Sequence, residues 1–238
     1  MAFSVALTIT AWWKSDALPS TEKLRSELAS EPLQTRIDKP DFDTTAGGIT
    51  YTVHPLYEYD LYGLVVSLHD SRTWWDYIHA EWNDNLNVAD LCVVWGKDAH
   101  SDITGKISFS SGQFVCNFQT DSQEAYLAFD QTRISNNHLL TDDPRLAGKL
   151  RRVRVGDQVH FRGYLSEYSH NHGFPFKRGT STTRTDSGNG ACETVFVTDF
   201  EILRAGGAPW RALLWVALAL LCLGVVLWWR LPGGAGTT

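Results

Sequence analysis

Val153-Arg154-Val155-Gly156-Asp157-Gln158-Val159-His160-Phe161-Arg162-Gly163-Tyr164-Leu165-Ser166-Glu167-Tyr168 is the stretch that decides the fold. Arg154 to Asp157 marks a turn, and Val159, Phe161, Tyr164 and Leu165 then read as a strand. The strand passes through Gly163, where the in–out alternation is expected to shift, because glycine inside a strand marks a bulge or a sharp coil. Thr194 to Leu203 reads as a second strand, with Val195, Val197, Phe200 and Ile202 as its apolar positions. Working outward, strand patterns recur at Ile49–Val53, Tyr57–Leu68 and Asp90–Gly96, and Ile107–Phe109 with Phe114–Phe118 resembles a hairpin. The expected fold is mainly β with minor α: an OB-like barrel or a small β-sandwich, followed by one C-terminal transmembrane helix.

That helix is read from Ala212 to Trp229, ALLWVALALLCLGVVLWW, where no residue is charged. At about 1.5 Å per residue, 18 helical residues span roughly 27 Å, close to the hydrocarbon thickness of a bilayer. Trp210 and Arg211 at one end, and Trp228, Trp229 and Arg230 at the other, are the expected interfacial anchors. Pro232, Gly233 and Gly234 are expected to stop the helix.

The remaining organisation follows from local pattern. Residues 1–14 are an apolar N-terminal strand, by the alternation of Phe3, Val5, Leu7 and Ile9, or else what is left of a signal-anchor that starts upstream. Residues 15–48 are expected to hold a short helix, capped by Ser20 or Thr21 and ended by Pro32, and then a loop. Residues 49–204 form the β-rich domain, 210–230 the membrane helix and 231–238 a short tail. Within the domain, Trp75, Ile78 and Trp82 fall at helical spacing, which suggests packing, and Arg145–Arg152 is weakly helical.

Charge narrows the partners. Lys and Arg number 21 against 27 Asp and Glu, and setting aside Arg211 and Arg230 beside the apolar run leaves 19 against 27, a net of −8 for the body. Such a body repels phosphate backbones, so nucleic acid is not an expected partner. No P-loop, dinucleotide fingerprint or Gly-x-Ser-x-Gly occurs, and neither a cofactor nor a metal is expected. His170 and His172 share a face when extended but need His160 or Asp186 to complete a metal set.

One polar constellation stands out: Asn137, His138, Ser181, Arg184, Asp186 and Glu193. The glycine-rich Asp186–Gly190 turn lies in its midst. Its structural reading is an ionic cluster in which Arg184 pairs with Asp186 or Glu193 and fastens a loop. Its functional reading has His138 as general base and Arg184 holding an anion. Cys192 sits at the entry to a strand without a local protease signature, as a small buried residue does. Three cysteines lie outside the apolar run, and an oxidising compartment would allow one bridge, Cys92–Cys116.

Three passages resemble a family of uncharacterised bacterial membrane-associated proteins without a known activity. They are Ser135-Asn136-Asn137-His138-Leu139-Leu140; Gly156-Asp157-x-Val159 through Gly163-x-Leu165; and Thr180-Ser181-x-x-Arg184-x-Asp186-x-Gly188-x-Gly190-Ala191-Cys192-Glu193. The resemblance implies a compact domain beside a membrane segment, held outside the cytoplasm, and brings no substrate or mechanism. The expected function is therefore a binding or interaction module at the membrane surface, without catalysis. The alternative is a membrane-tethered hydrolase using His138, Asp186 and Glu193. The expected location is a bacterial inner membrane, with the bilayer and another membrane or envelope protein as partners. The side remains open at this stage: Arg204 and Arg211 favour a cytoplasmic body, while the N-terminal apolar run and the resemblance incline toward the periplasm.

Overall fold

Chain order begins with α1 (Ala2–Ser15), two short 3-10 turns (Thr21–Lys23 and Ser26–Ala29), β1 (Leu33–Arg36), β2 (Phe42–Ala46) and the long β3 (Ile49–Asp70). It continues through α2 (Ile78–Glu81), β4 (Asn87–Val94), α3 (Gly96–Ala99), β5 (Ser108–Gly112), β6 (Val115–Gln119), α4 (Gln123–Ala128) and β7 (Ile134–Leu140). Then come α5 (Pro144–Leu150), β8 (Gln158–His170), β9 (Phe176–Arg178), β10 (Glu193–Arg204) and α6 (Ala208–Arg230). The structure is a computed structural model and describes residues 2–186 and 191–230. The Ser187–Gly190 part of the expected turn, and the Pro232–Gly234 stop, lie outside the described residues.

The fold is mainly β. β3 pairs with β4, β4 with β7, β7 with β10, β10 with β8, and β8 again with β3, so the pairings close into a ring. β7–β10 is the parallel contact of this ring; the other four are antiparallel. β1, β2 and β9 extend it at β3 and β8. Each ring strand sends alternate side chains to one core: Leu61 and Val65, Leu91 and Val93, Leu139, Val159 and Phe161, Val195 and Phe200. α5 joins this core through Leu150. The hairpin of β5 and β6 lies against β3, and its tip end is tied to β4 by the Cys92–Cys116 disulfide.

Gly163 is required by contact. A Cβ there would lie 2.0 Å from the Phe196 carbonyl oxygen of β10. The alternation does not shift at this glycine, as expected from the sequence, but continues through 161, 163 and 165 and changes at Ser166. The cause is on the neighbouring strand: β3 carries an irregularity at Leu56, opposite Leu165 and Ser166, where Pro55 offers no N–H to the ladder.

Three further expectations are corrected. Residues 2–15 are a helix rather than a strand; α1 lies antiparallel beside α6, with Ala11 and Ala217 both fully buried. The short helix of 15–48 is two 3-10 turns, and the expected loop contains β1 and β2. Their sequences, LQTR and FDTTA, are those of half-solvated edge strands without apolar alternation. β2 turns into β3 through Gly47-Gly48, whose φ values of +58° and +79° suit a tight hairpin. The tryptophan segment forms only the four-residue α2; Trp75 packs on His69 and Trp82 on Phe114, each with its outer side exposed.

α6 follows β10 after three residues and is long and apolar enough to cross a membrane. Its start is fastened to the ring. Arg211 donates to the Asp157 carboxylate, to the Val155 carbonyl and to the Ser15 carbonyl. Arg211, expected as an interfacial anchor, thus also holds α6 to the β-rich body and to the end of α1. Lys14 lies over the Trp210 ring at 4.6 Å. Trp228 and Trp229 are exposed at the far end.

Candidate functional site

Strand register divides the polar constellation between two faces. β7 and β10 pair Asn137 with Glu193 and His138 with Thr194. Adjacent residues point to opposite faces, so Asn137 and Glu193 share one face and His138 takes the other.

On the inner face, Arg184 donates to Glu193 at 2.5 Å and to the Tyr59 hydroxyl at 3.1 Å, and its guanidinium lies over the Trp95 ring. Burial pushes the Glu193 carboxyl up to about 7, although Arg184 pulls the other way. Asn137 is fully buried, and its amide donates to Ser135 and to the Leu91 carbonyl. Ser181 donates to Asp186 at 2.6 Å. Asp186, Glu193 and His138, the hydrolase set, therefore each have a different partner.

On the outer face, His138 is fully buried between two partners. Arg178 places a guanidinium N–H 2.6 Å from Nε2, so Nε2 accepts and Nδ1 carries the proton that it donates to Asp90 at 2.6 Å. Burial, with Arg178 against Nε2, pushes the imidazole below its ordinary value, although Asp90 pulls the other way. A protonated ring would set an N–H against the guanidinium, so His138 is the neutral form. Burial would raise the Asp90 carboxyl, but His138 and Asn87 more than offset this and hold it at about 2.

The network continues inward. The Asn87 amide donates to Asp90 and to His79 Nε2, each at 2.9 Å. His79 Nδ1 then carries a proton and donates to Asp76 Oδ2 at 2.6 Å, and His69 Nε2 meets the same oxygen at 2.6 Å. Arg178, His138, Asp90, Asn87, His79, Asp76 and His69 thus form one connected chain. Asp84 flanks it, accepting from the Tyr168 hydroxyl at 2.6 Å, and burial raises its carboxyl.

Phe114 closes this chain from outside. It sits at the tip of the β5–β6 hairpin with φ +64°, an uncommon backbone state for a bulky residue. Its ring lies 4.2 Å from the His79 ring and under the Arg178 guanidinium at 3.9 Å, while its N–H donates to Asp90. Cys192 donates to the Phe114 carbonyl; burial raises its thiol, which makes it a poor nucleophile.

Sequence reasoning selected His138 but not Asp90, Arg178, Asn87, His79, Asp76 or His69. The detectable signals were an aspartate heading the apolar run Asp90–Gly96 and the spacing of His69, Asp76 and His79. The histidine set first considered for a metal is dispersed. His160 bonds Asp60 at 2.9 Å and stacks on Tyr62, while His170 bonds the Trp82 carbonyl. Among the described residues, His69, Asp76 and His79 are the group whose ligand atoms converge, all within 4.8 Å of one another. Comparison with family models, with curated proteins and with solved structures gives no match.

Proposed function

We propose that this chain is a membrane-anchored binding module that holds a β-rich domain at the bilayer surface and acts by contact with another membrane or envelope protein, without catalysis. The observation that carries this reading is the join between α6 and the ring. An apolar, exposed helix leaves β10 directly, and Arg211 bonds its first turn to the Asp157 turn. The domain is thereby presented in one orientation.

The ring supports an OB-like barrel as the scaffold. Taken in chain order, its strands run first, second, third, fifth, fourth and back to first, and a helix, α5, sits between the third and fourth. Folds of this kind bind ligands on the outer face of the second and third strands and through the neighbouring loops. Here that face holds Asp90 and His138, and it is covered by the chain's own β5–β6 hairpin. The loop after the first strand instead exposes Trp74, Trp75 and Tyr77. Exposed aromatics of this kind are typical anchors of protein contacts. Register through β4 and β7 sets the start of this loop level with the beginning of β10, the end away from α6. The Cys92–Cys116 bridge favours the oxidising, periplasmic side of a bacterial inner membrane.

Photo-crosslinking in native membranes tests this reading. A crosslinker replacing Trp74 is expected to give one discrete adduct that competes with unlabelled wild-type protein but not with Trp74→Ser/Tyr77→Ser. A control crosslinker at Thr198 is expected to give none. The same adduct from both positions, or none from Trp74, would refute contact through this loop.

A further inference from the structure

We infer that His69, Asp76 and His79 form a binding site for one divalent first-row transition cation, of the kind that accepts two imidazoles and a carboxylate. The inference is independent of the function proposed above.

The first ground is geometric. His69 comes from the end of β3, Asp76 from the loop after it and His79 from α2. Their side chains are 2%, 0% and 3% exposed, and both imidazole nitrogens converge on the single Asp76 Oδ2. Two neutral nitrogens and one carboxylate oxygen make a donor set suited to zinc or a related ion. An ion about 2.0–2.2 Å from each ligand holds the donor atoms roughly 3 Å apart, so the present 2.6 Å contacts open only a little to admit it.

The second ground is charge. Asp76, Asp84 and Asp90 are buried in one network whose permanent cation is Arg178. By formal charge, three buried carboxylates face one guanidinium, a net of −2 that one divalent ion balances. An uncompensated buried carboxylate is costly. A divalent ion on Asp76 removes the deficit at the place where the permanent cation is most remote in the chain of contacts.

The third ground is the support around the ligands. Metal-bound histidines orient their second nitrogen toward a carboxylate or similar acceptor. On binding, the His79 proton moves from Nδ1 to Nε2, and Nε2 then faces Asp84 Oδ2, now 3.9 Å away. Asn87 releases Nε2 and keeps Asp90. Trp75 lies against the His69 ring at 4.7 Å and Phe114 against His79, apolar walls on two sides that leave a fourth coordination position to water.

The test uses the full chain in detergent, stripped with chelator and titrated with Co(II), alongside metal analysis of the protein as purified with Zn(II) in the medium. We expect about one metal per chain, saturable visible cobalt bands of a nitrogen–oxygen site without a thiolate band, and a melting temperature that falls on chelation. Asp76→Asn is expected to reduce bound metal at least about tenfold, and His54→Ala, at an exposed histidine, to leave it unchanged. If Asp76→Asn does not fold, the cobalt titration of the wild type decides. Less than about a tenth of a metal per chain with no saturable cobalt bands would overturn the inference and leave a purely hydrogen-bonded triad. So would bands with thiolate character, or bands that persist in folded Asp76→Asn.

Discussion

Arg211 at the start of α6 donates to Asp157 Oδ1 at 2.9 Å, and that carboxylate, only 2% exposed, also accepts from the backbone N–H groups of Arg154 and Gly206. A residue flanking an apolar helix thus serves as a bracket between that helix and the turn that opens β8. Gly206 and Gly207 make the bracket possible. A Cβ on Gly206 would lie 2.1 Å from the Gly156 carbonyl oxygen, and one on Gly207 2.3 Å from the Ser15 carbonyl oxygen. Side chains at either position would push α6 away from the ring.

Arg211→Ala removes three donors and leaves Asp157 with its two backbone partners. Because the guanidinium is partly exposed, the expected loss is about 1–3 kcal/mol, less than for a fully buried pair. Thermal unfolding in detergent is expected to drop by about 2–12 °C, while the protein stays with the membrane. An unchanged melting temperature would show that the bracket carries no stability.

Gly163→Ala and Gly148→Ala should differ in sign. The first drives a methyl into the β10 backbone and is expected to cost about 3 kcal/mol or more. The second lies in α5, with nothing within 4 Å of a new Cβ, and is expected to stabilise by up to about 1 kcal/mol through helix propensity. Denaturant midpoints of the two variants check both statements.

His138 makes stability depend on pH. Its folded-state value is pushed below the ordinary 6.5, mainly by burial. The unfolded chain therefore binds the proton first, and stability is lost as pH falls below about 6.5. Melting curves from pH 7.5 to 5 are expected to show a steeper decline for the wild type than for His138→Gln. Parallel declines would mean that this imidazole is not the buried neutral group described above.

The cysteines should separate cleanly under denaturing, non-reducing alkylation. Cys192 and Cys222 are free and are expected to be labelled, with Cys92 and Cys116 labelled only after reduction. Closing a loop of this size contributes about 3 kcal/mol, so Cys92→Ala/Cys116→Ala is expected to lower the unfolding midpoint correspondingly. Four labelled cysteines before reduction would contradict the bridge.

What the sequence disclosed, it disclosed through apolar pattern. β8 and β10 carry alternating large residues because one face of each lines the ring core, and α6 is apolar all round because no protein surrounds most of it. β1 and β2 escaped notice because they are short and polar and pair only along the rim of β3. The candidate site was legible in part. His138 is a buried imidazole, but its partners come from positions 90 and 178, brought beside it by strand register rather than by spacing along the chain. The grouping of Glu193 with His138 failed for the same reason: one step along a strand reverses the face. Phe114 was invisible as a cover, because its role depends on a left-handed backbone at a hairpin tip.

Fractionation of cells making the full chain tests the central claim most directly. The account predicts that the protein sediments with membranes, resists an alkaline carbonate wash and is released by detergent, with its residue 205–230 segment protected from protease. Recovery of the intact chain in the detergent-free supernatant after high-speed centrifugation would contradict it.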